Sequence, residues 1–108
     1  MRLFHYANDE EIKNGKTTDI YFVRTRQILK AKKMENIRVV AEVTVGSLPE
    51  EWSWGVLCGI EEVAHLFEGC PVDVYAMPEG TIFFQHDSQG FREPVMFIDG
   101  PYGDFCIL

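Results

Sequence analysis

No apolar run in this chain approaches the roughly 20 residues that a membrane-crossing helix needs, and Met1-Arg2-Leu3-Phe4-His5-Tyr6 meets Asn8-Asp9-Glu10-Glu11 before any signal-peptide apolar region can form. Cysteine is sparse: Cys58, Cys70 and Cys106 are odd in number, far apart and without Cys-x-x-Cys spacing. That pattern excludes a disulfide framework or a zinc ribbon and predicts reduced, buried thiols in a cytoplasmic protein. Cys106 is third from the end, where a prenylation box needs the fourth position. The chain has no Gly-x-Gly-x-x-Gly, no Walker loop and no Gly-x-Ser-x-Gly. His5, His65 and His86 are scattered, without the i,i+4 partner of a metal site. His65 is expected on the exposed side of its helix.

Cations are scarce after residue 33. The first 33 residues hold eight Lys/Arg against four acids, net +4, whereas the remaining 75 hold only Arg38 and Arg92 against thirteen acids, net −11. The acidic majority argues against a nucleic-acid-binding surface, which needs clustered positive charge. The basic end of the second helix could still meet a phosphate. The commoner reading is a solvated helix face with cations near its negative end.

What is present suits one domain, with 108 residues of which 46% are hydrophobic. Asn8 followed by Glu11 has the form of a capping box, and Gly15 would close that short helix left-handed. Thr18 and Asp19 can cap a second helix over residues 18–33. On a helical wheel Tyr21, Phe22, Thr25, Ile28 and Leu29 share a broad face, with Arg26, Gln27 and Lys30 opposite. From residue 37 to 45 the period becomes two: Ile37, Val39, Ala41, Val43 and Val45 point one way. Gly46-Ser47-Leu48-Pro49 ends this strand. Trp52 and Trp54, beside Glu50 and Glu51, form an aromatic loop, read either as a binding lip or, more usually, as a loop packed over a helix end. A third helix fits residues 60–67, with Gly69 past its end. Strands follow at 72–76, 81–85 and 94–98, separated by the turns Pro78-Glu79-Gly80 and His86-Asp87-Ser88-Gln89-Gly90. The order is a segregated α+β pattern, with helices on a mostly antiparallel sheet.

Little here can do chemistry alone. Glu61 and Glu62 are neighbours on a helix and point about 100° apart, so they cannot share one proton-transfer task. No nucleophile, base, oxyanion hole or metal centre is assembled by spacing. The uncharged end Phe105-Cys106-Ile107-Leu108 is poor material for a solvated terminus. It reads as a chain cut where a helix begins, with a natural final strand as the rival reading.

The feature that capping leaves unexplained is an aromatic pair one turn into the second helix. Thr17-Thr18-Asp19-Ile20-Tyr21-Phe22 is similar to the N-terminal part of nicotinate phosphoribosyltransferases, chiefly the shorter prokaryotic kind. So are Tyr75-Ala76-Met77-Pro78-Glu79-Gly80-Thr81-Ile82, Gly100-x-Tyr102-x-Asp104-Phe105, the opening Phe4-x-x-Ala7-x-x-Glu10-Glu11-Ile12 and Leu66-x-Glu68-Gly69. The resemblance runs through the whole chain in order. It implies an α/β-hammerhead-like N-terminal domain of a type II phosphoribosyltransferase, without the α/β barrel into which such chains continue. It also implies a reaction: nicotinate and 5-phosphoribosyl 1-pyrophosphate give nicotinate mononucleotide and pyrophosphate on the route to NAD. By position, Tyr21 would stack on the pyridine ring held by the other subunit of a homodimer or larger assembly, with Asp19 beside it. The resemblance places no cofactor in this segment; it implies magnesium for the larger enzyme and leaves ATP coupling open. No nucleic acid or membrane partner is expected. A stand-alone α+β binding module, or a quinolinate or nicotinamide phosphoribosyltransferase domain, are the alternatives.

Overall fold

The computed structural model describes residue 4 and residues 6–108; Arg2 and His5 lie outside the described residues. Helix α1 (Asp9–Lys13) begins with the expected capping box: Asn8 Oδ1 accepts from the Glu11 amide at 2.8 Å, and the Glu11 carboxylate accepts from the Asn8 amide at 3.0 Å. Gly15 follows at φ +74°, and a Cβ there would lie 2.9 Å from Ile107 Cδ1. Backbone conformation and close approach both call for glycine. Helix α2 (Ile20–Ala31) is capped by Asp19, whose Oδ1 accepts from the Tyr21 amide at 2.9 Å. Thr18 lies outside the helix and leaves the capping to Asp19 alone.

Strands β1 (Arg38–Val43), β3 (Asp73–Ala76) and β5 (Met96–Pro101) form an antiparallel sheet in the order β1-β5-β3. Ile98 sits opposite Ala41 on one side and Val74 on the other. Asp73 and Asp99 face each other directly, a like-charge pair that costs stability. Arg38 reaches Asp99 at 3.1 Å and offsets it. Gly100 is required by contact: a Cβ there would stand 2.6 Å from Val72 Cγ1. A second antiparallel sheet pairs β2 (Trp54–Val56) with β4 (Ile82–Phe84). Along the chain α3 (Ile60–Leu66) joins β2 to β3 and packs against α1, and the turn of helix α4 (Tyr102–Phe105) follows β5 and packs against α2. This is the expected small α+β domain, and no barrel closes among these strands.

One core joins both sheets. Leu57 and Phe83 from the small sheet's side pack with Met96 and Ile98 of the large one, with Val95 just before β5 and with Phe105 of α4. Burying each such side chain contributes about 1.5–3 kcal/mol before entropy is counted. Phe105 sits edge-on to Phe67 (6.4 Å) and to Tyr102 (5.5 Å). The uncharged end is therefore core material: Phe105, Cys106 and Ile107 are all buried.

Two elements differ from the sequence reading. The aromatic segment expected as a loop contains β2, and residues expected as turn (Gly100, Pro101) complete β5. Pro78-Glu79-Gly80 is a turn, as expected, but also a brace. Gly80 N donates to Leu57 O (2.8 Å), and the Glu79 carboxylate accepts from the amides of Gly59 (2.8 Å) and Ile60 (2.9 Å) at the start of α3. Gly59 has no side chain with which to cap, so an acid about twenty residues away does it.

Candidate functional site

The first turn of α2 carries the residues that the sequence singled out. Asp19 spends one carboxylate oxygen on the Tyr21 amide, which fixes the helix start and leaves the Tyr21 ring free. That ring is 70% exposed, and Ile20, Phe22 and Ile28 around it are also exposed. Thr25 Oγ1 donates to Tyr21 O at 2.8 Å, so the turn that carries the ring is bonded at both ends. Tyr21 and Asp19 are adjacent, as expected, but they line neither the cavity beside α2 nor the one on the small sheet.

The helical wheel is corrected. The half-buried side of α2 is Val23, Thr25, Arg26 and Leu29, whereas Tyr21 and Ile28 face outward. Arg26, expected opposite the apolar face, therefore points inward. The cause is the docking site: α2 closes on Gly15 and on the residues after α4, where Cys106 Sγ lies 4.0 Å from Phe22 O. Asn14, Gly15, Val23, Arg26, Gln27, Lys30 and Ile107 line a cavity of about 220 Å³ there. Arg26 Nε is shut off from solvent and has no hydrogen-bond partner. Such a donor costs about 1–3 kcal/mol when left unmet.

A second surface lies on the small sheet. Trp54 is paired with Phe84 and Val56 with Ile82, and all four side chains are exposed. Trp52 and Trp54 have ring centroids 5.5 Å apart and, with Leu48, Pro49 and Phe83, line a cavity of about 350 Å³. Trp54 thus sits on the small sheet, while Trp52 caps the end of a short 3-10 helix at Pro49–Glu51. Glu50 and Glu51 before it adopt positive φ (54° and 58°), a conformation that costs non-glycine residues of order 1–3 kcal/mol each.

His65 is corrected too. It is half-buried, with Nε2 2.7 Å from Asp9 Oδ2 and Nδ1 3.4 Å from Glu68 Oε2. It ties α3 to α1. Among the described residues no group of three or more His, Cys, Asp or Glu could hold a metal ion. Of the thiols expected to be buried, Cys58 is exposed, Cys70 intermediate and Cys106 buried. Burial pushes the Cys106 thiol above its ordinary value, against the opposing pull of Arg26 and Lys30. No described helix is long and apolar enough to cross a membrane.

The family model for the quinolinate phosphoribosyl transferase N-terminal domain matches residues 19–108. The crystal structure of nicotinate-nucleotide pyrophosphorylase from Pyrococcus furiosus is similar over 99% of this chain, at 56% identity and a TM-score of 0.81. The chain spans 26% of the length of that protein.

Proposed function

The chain belongs to the quinolinate phosphoribosyl transferase N-terminal domain family, and from that premise we propose that it serves as the ring-stacking domain of a nicotinate phosphoribosyltransferase, an enzyme joining nicotinate to 5-phosphoribosyl 1-pyrophosphate. The observation that carries this reading is the Tyr21 ring, 70% exposed on a helix turn held by the Asp19 cap. An aromatic side chain held in place but uncovered is suited to a flat ligand presented from elsewhere. Stacking on an electron-poor pyridine contributes about 0.5–1.5 kcal/mol beyond area burial. It also turns the ring nitrogen toward the ribose carbon, and orientation is a large part of what such a displacement needs.

In this reading the remainder of the site belongs to an α/β barrel in a partner subunit of a cytoplasmic homodimer or larger assembly, and the isolated chain binds nicotinate weakly or not at all. The uncovered outer face of the small sheet (Trp54, Val56, Ile82, Phe84) supports packing against such a body, because contiguous exposed apolar surface marks interaction sites. The described residues offer no cluster of three or more His, Cys, Asp or Glu that would hold a metal ion. A second reading takes quinolinate as the substrate, favoured by the matched family's description.

The test compares full-length enzyme with its Tyr21→Ala variant on nicotinate and on quinolinate. Loss of kcat/KM of about tenfold on nicotinate, with unchanged folding, supports the reading. Unchanged kinetics would remove Tyr21 from the site, and turnover of quinolinate alone would reassign the substrate.

A further inference from the structure

The cavity between the α1–α2 connection and the end of the chain has an unusual electrical balance. Two cations line it, Arg26 and Lys30, four residues apart on one side of α2, together with the neutral amides of Asn14 and Gln27. No carboxylate lines it. Like charges at i,i+4 repel along a helix, and neither cation has an ion pair or hydrogen bond among the described residues. The Nε of Arg26 is buried without a partner. A half-buried arginine beside a second cation, with amide donors around the same cavity, suits an oxyanion.

From this we propose that the Arg26–Lys30 cavity is a binding site for a phosphate dianion, either inorganic phosphate or a phosphate monoester. Two positive charges match a dianion, and a monocarboxylate would leave one uncompensated. The volume of about 220 Å³ falls below the roughly 300–1,000 Å³ of sites for drug-sized ligands, so the occupant is a small anion or the phosphate end of a larger molecule. Gly15 and the buried Ile107 meet closely at this cavity, where a Cβ at Gly15 would lie 2.9 Å from Ile107 Cδ1. The proposal stands independently of the Tyr21 reading and uses no nicotinate.

Inorganic phosphate, glycerol 2-phosphate and acetate are titrated into the protein by calorimetry at constant ionic strength, with chloride as the balancing ion. Saturable binding of phosphate is expected, with acetate weaker by about tenfold or more. A tighter glycerol 2-phosphate isotherm assigns the site to monoesters, and a tighter inorganic phosphate isotherm to the free ion. Lys30→Gln, at an exposed position, and Arg26→Gln should each weaken binding by about tenfold or more. Circular dichroism checks that each variant folds, and the exposed Lys30 keeps the test decisive where Arg26→Gln does not. Equal response to phosphate and acetate, or unchanged affinity in Lys30→Gln, overturns the assignment.

Discussion

Replacing Glu79 by Ala should destabilise the domain by about 2 kcal/mol although Glu79 is exposed and remote from every proposed ligand. Its carboxylate accepts two amides at the head of α3, from Gly59 at 2.8 Å and Ile60 at 2.9 Å. Loss of one helix cap costs about 0.5–2 kcal/mol, and an acid at the positive helix end adds about 0.3–1 kcal/mol. Two donors are lost here, but both bonds face solvent, which puts the sum near the middle of those ranges. For a domain of this length the expected fall in Tm is about 8–16 °C. Glu79→Gln keeps one carbonyl acceptor and should lose about half as much. Glu61→Gln is the control, since Glu61 also lies in the first turn of α3 but no cap contact depends on it. Urea unfolding followed by circular dichroism, with midpoints compared at constant slope, measures all three. A Glu79→Ala shift below about 0.5 kcal/mol, or one equal to that of Glu61→Gln, would show that the brace does not hold α3.

Phe105→Ala removes a 6%-exposed ring packed edge-on to Phe67 and Tyr102, and a loss of about 3–5 kcal/mol in denaturant unfolding is expected. Gly15→Ala forces φ +74° on a residue with a Cβ and brings that Cβ to 2.9 Å from Ile107; a loss of about 1–3 kcal/mol by the same assay is expected. Cys58 should be alkylated quickly and Cys106 slowly at neutral pH, read by mass spectrometry of timed samples. Because folding holds the Cys106 proton more tightly than the unfolded chain does, its contribution is complete below the ordinary thiol range near about 8.5 and falls as pH rises above it. Stability of a Cys106→Ser variant should lack that alkaline decline.

Long periodic segments and local caps were legible in the sequence. Asn8 and Glu11 make their capping box, β1 shows its period of two at Val39 and Ala41 though Val43 is exposed, and α3 spans nearly the residues expected. What escaped depends on contacts far along the chain. In β2 the alternation is inverted, with Trp54 and Val56 outward and Gly55 inward, because a Cβ at 55 would stand 3.2 Å from the Phe83 ring. A strand whose inner residue is glycine has no apolar stripe to read. A helical wheel puts Arg26 opposite the apolar face because it cannot see Gly15 and Ile107, with which Arg26 lines a cavity in the fold. Glu79 stood in a motif shared with a known family, yet only the fold gives it a task. The motif names Asp19 and Tyr21, and the cap accounts for their adjacency in the fold.

The strand order β1-β5-β3 also sets a timetable for synthesis. Of the three strands in the large sheet, the one that bonds to both neighbours is made last, ending at Pro101. Until it leaves the ribosome, β1 and β3 have no hydrogen-bonding partner for their edges, since neither pairs with the other. Closure therefore joins residues about sixty positions apart, such as Arg38 with Pro101, and long-range pairing of this kind is slow. The nascent sheet carries two open β-edges while everything between β1 and β5 is translated, and its folding waits for Met96–Pro101.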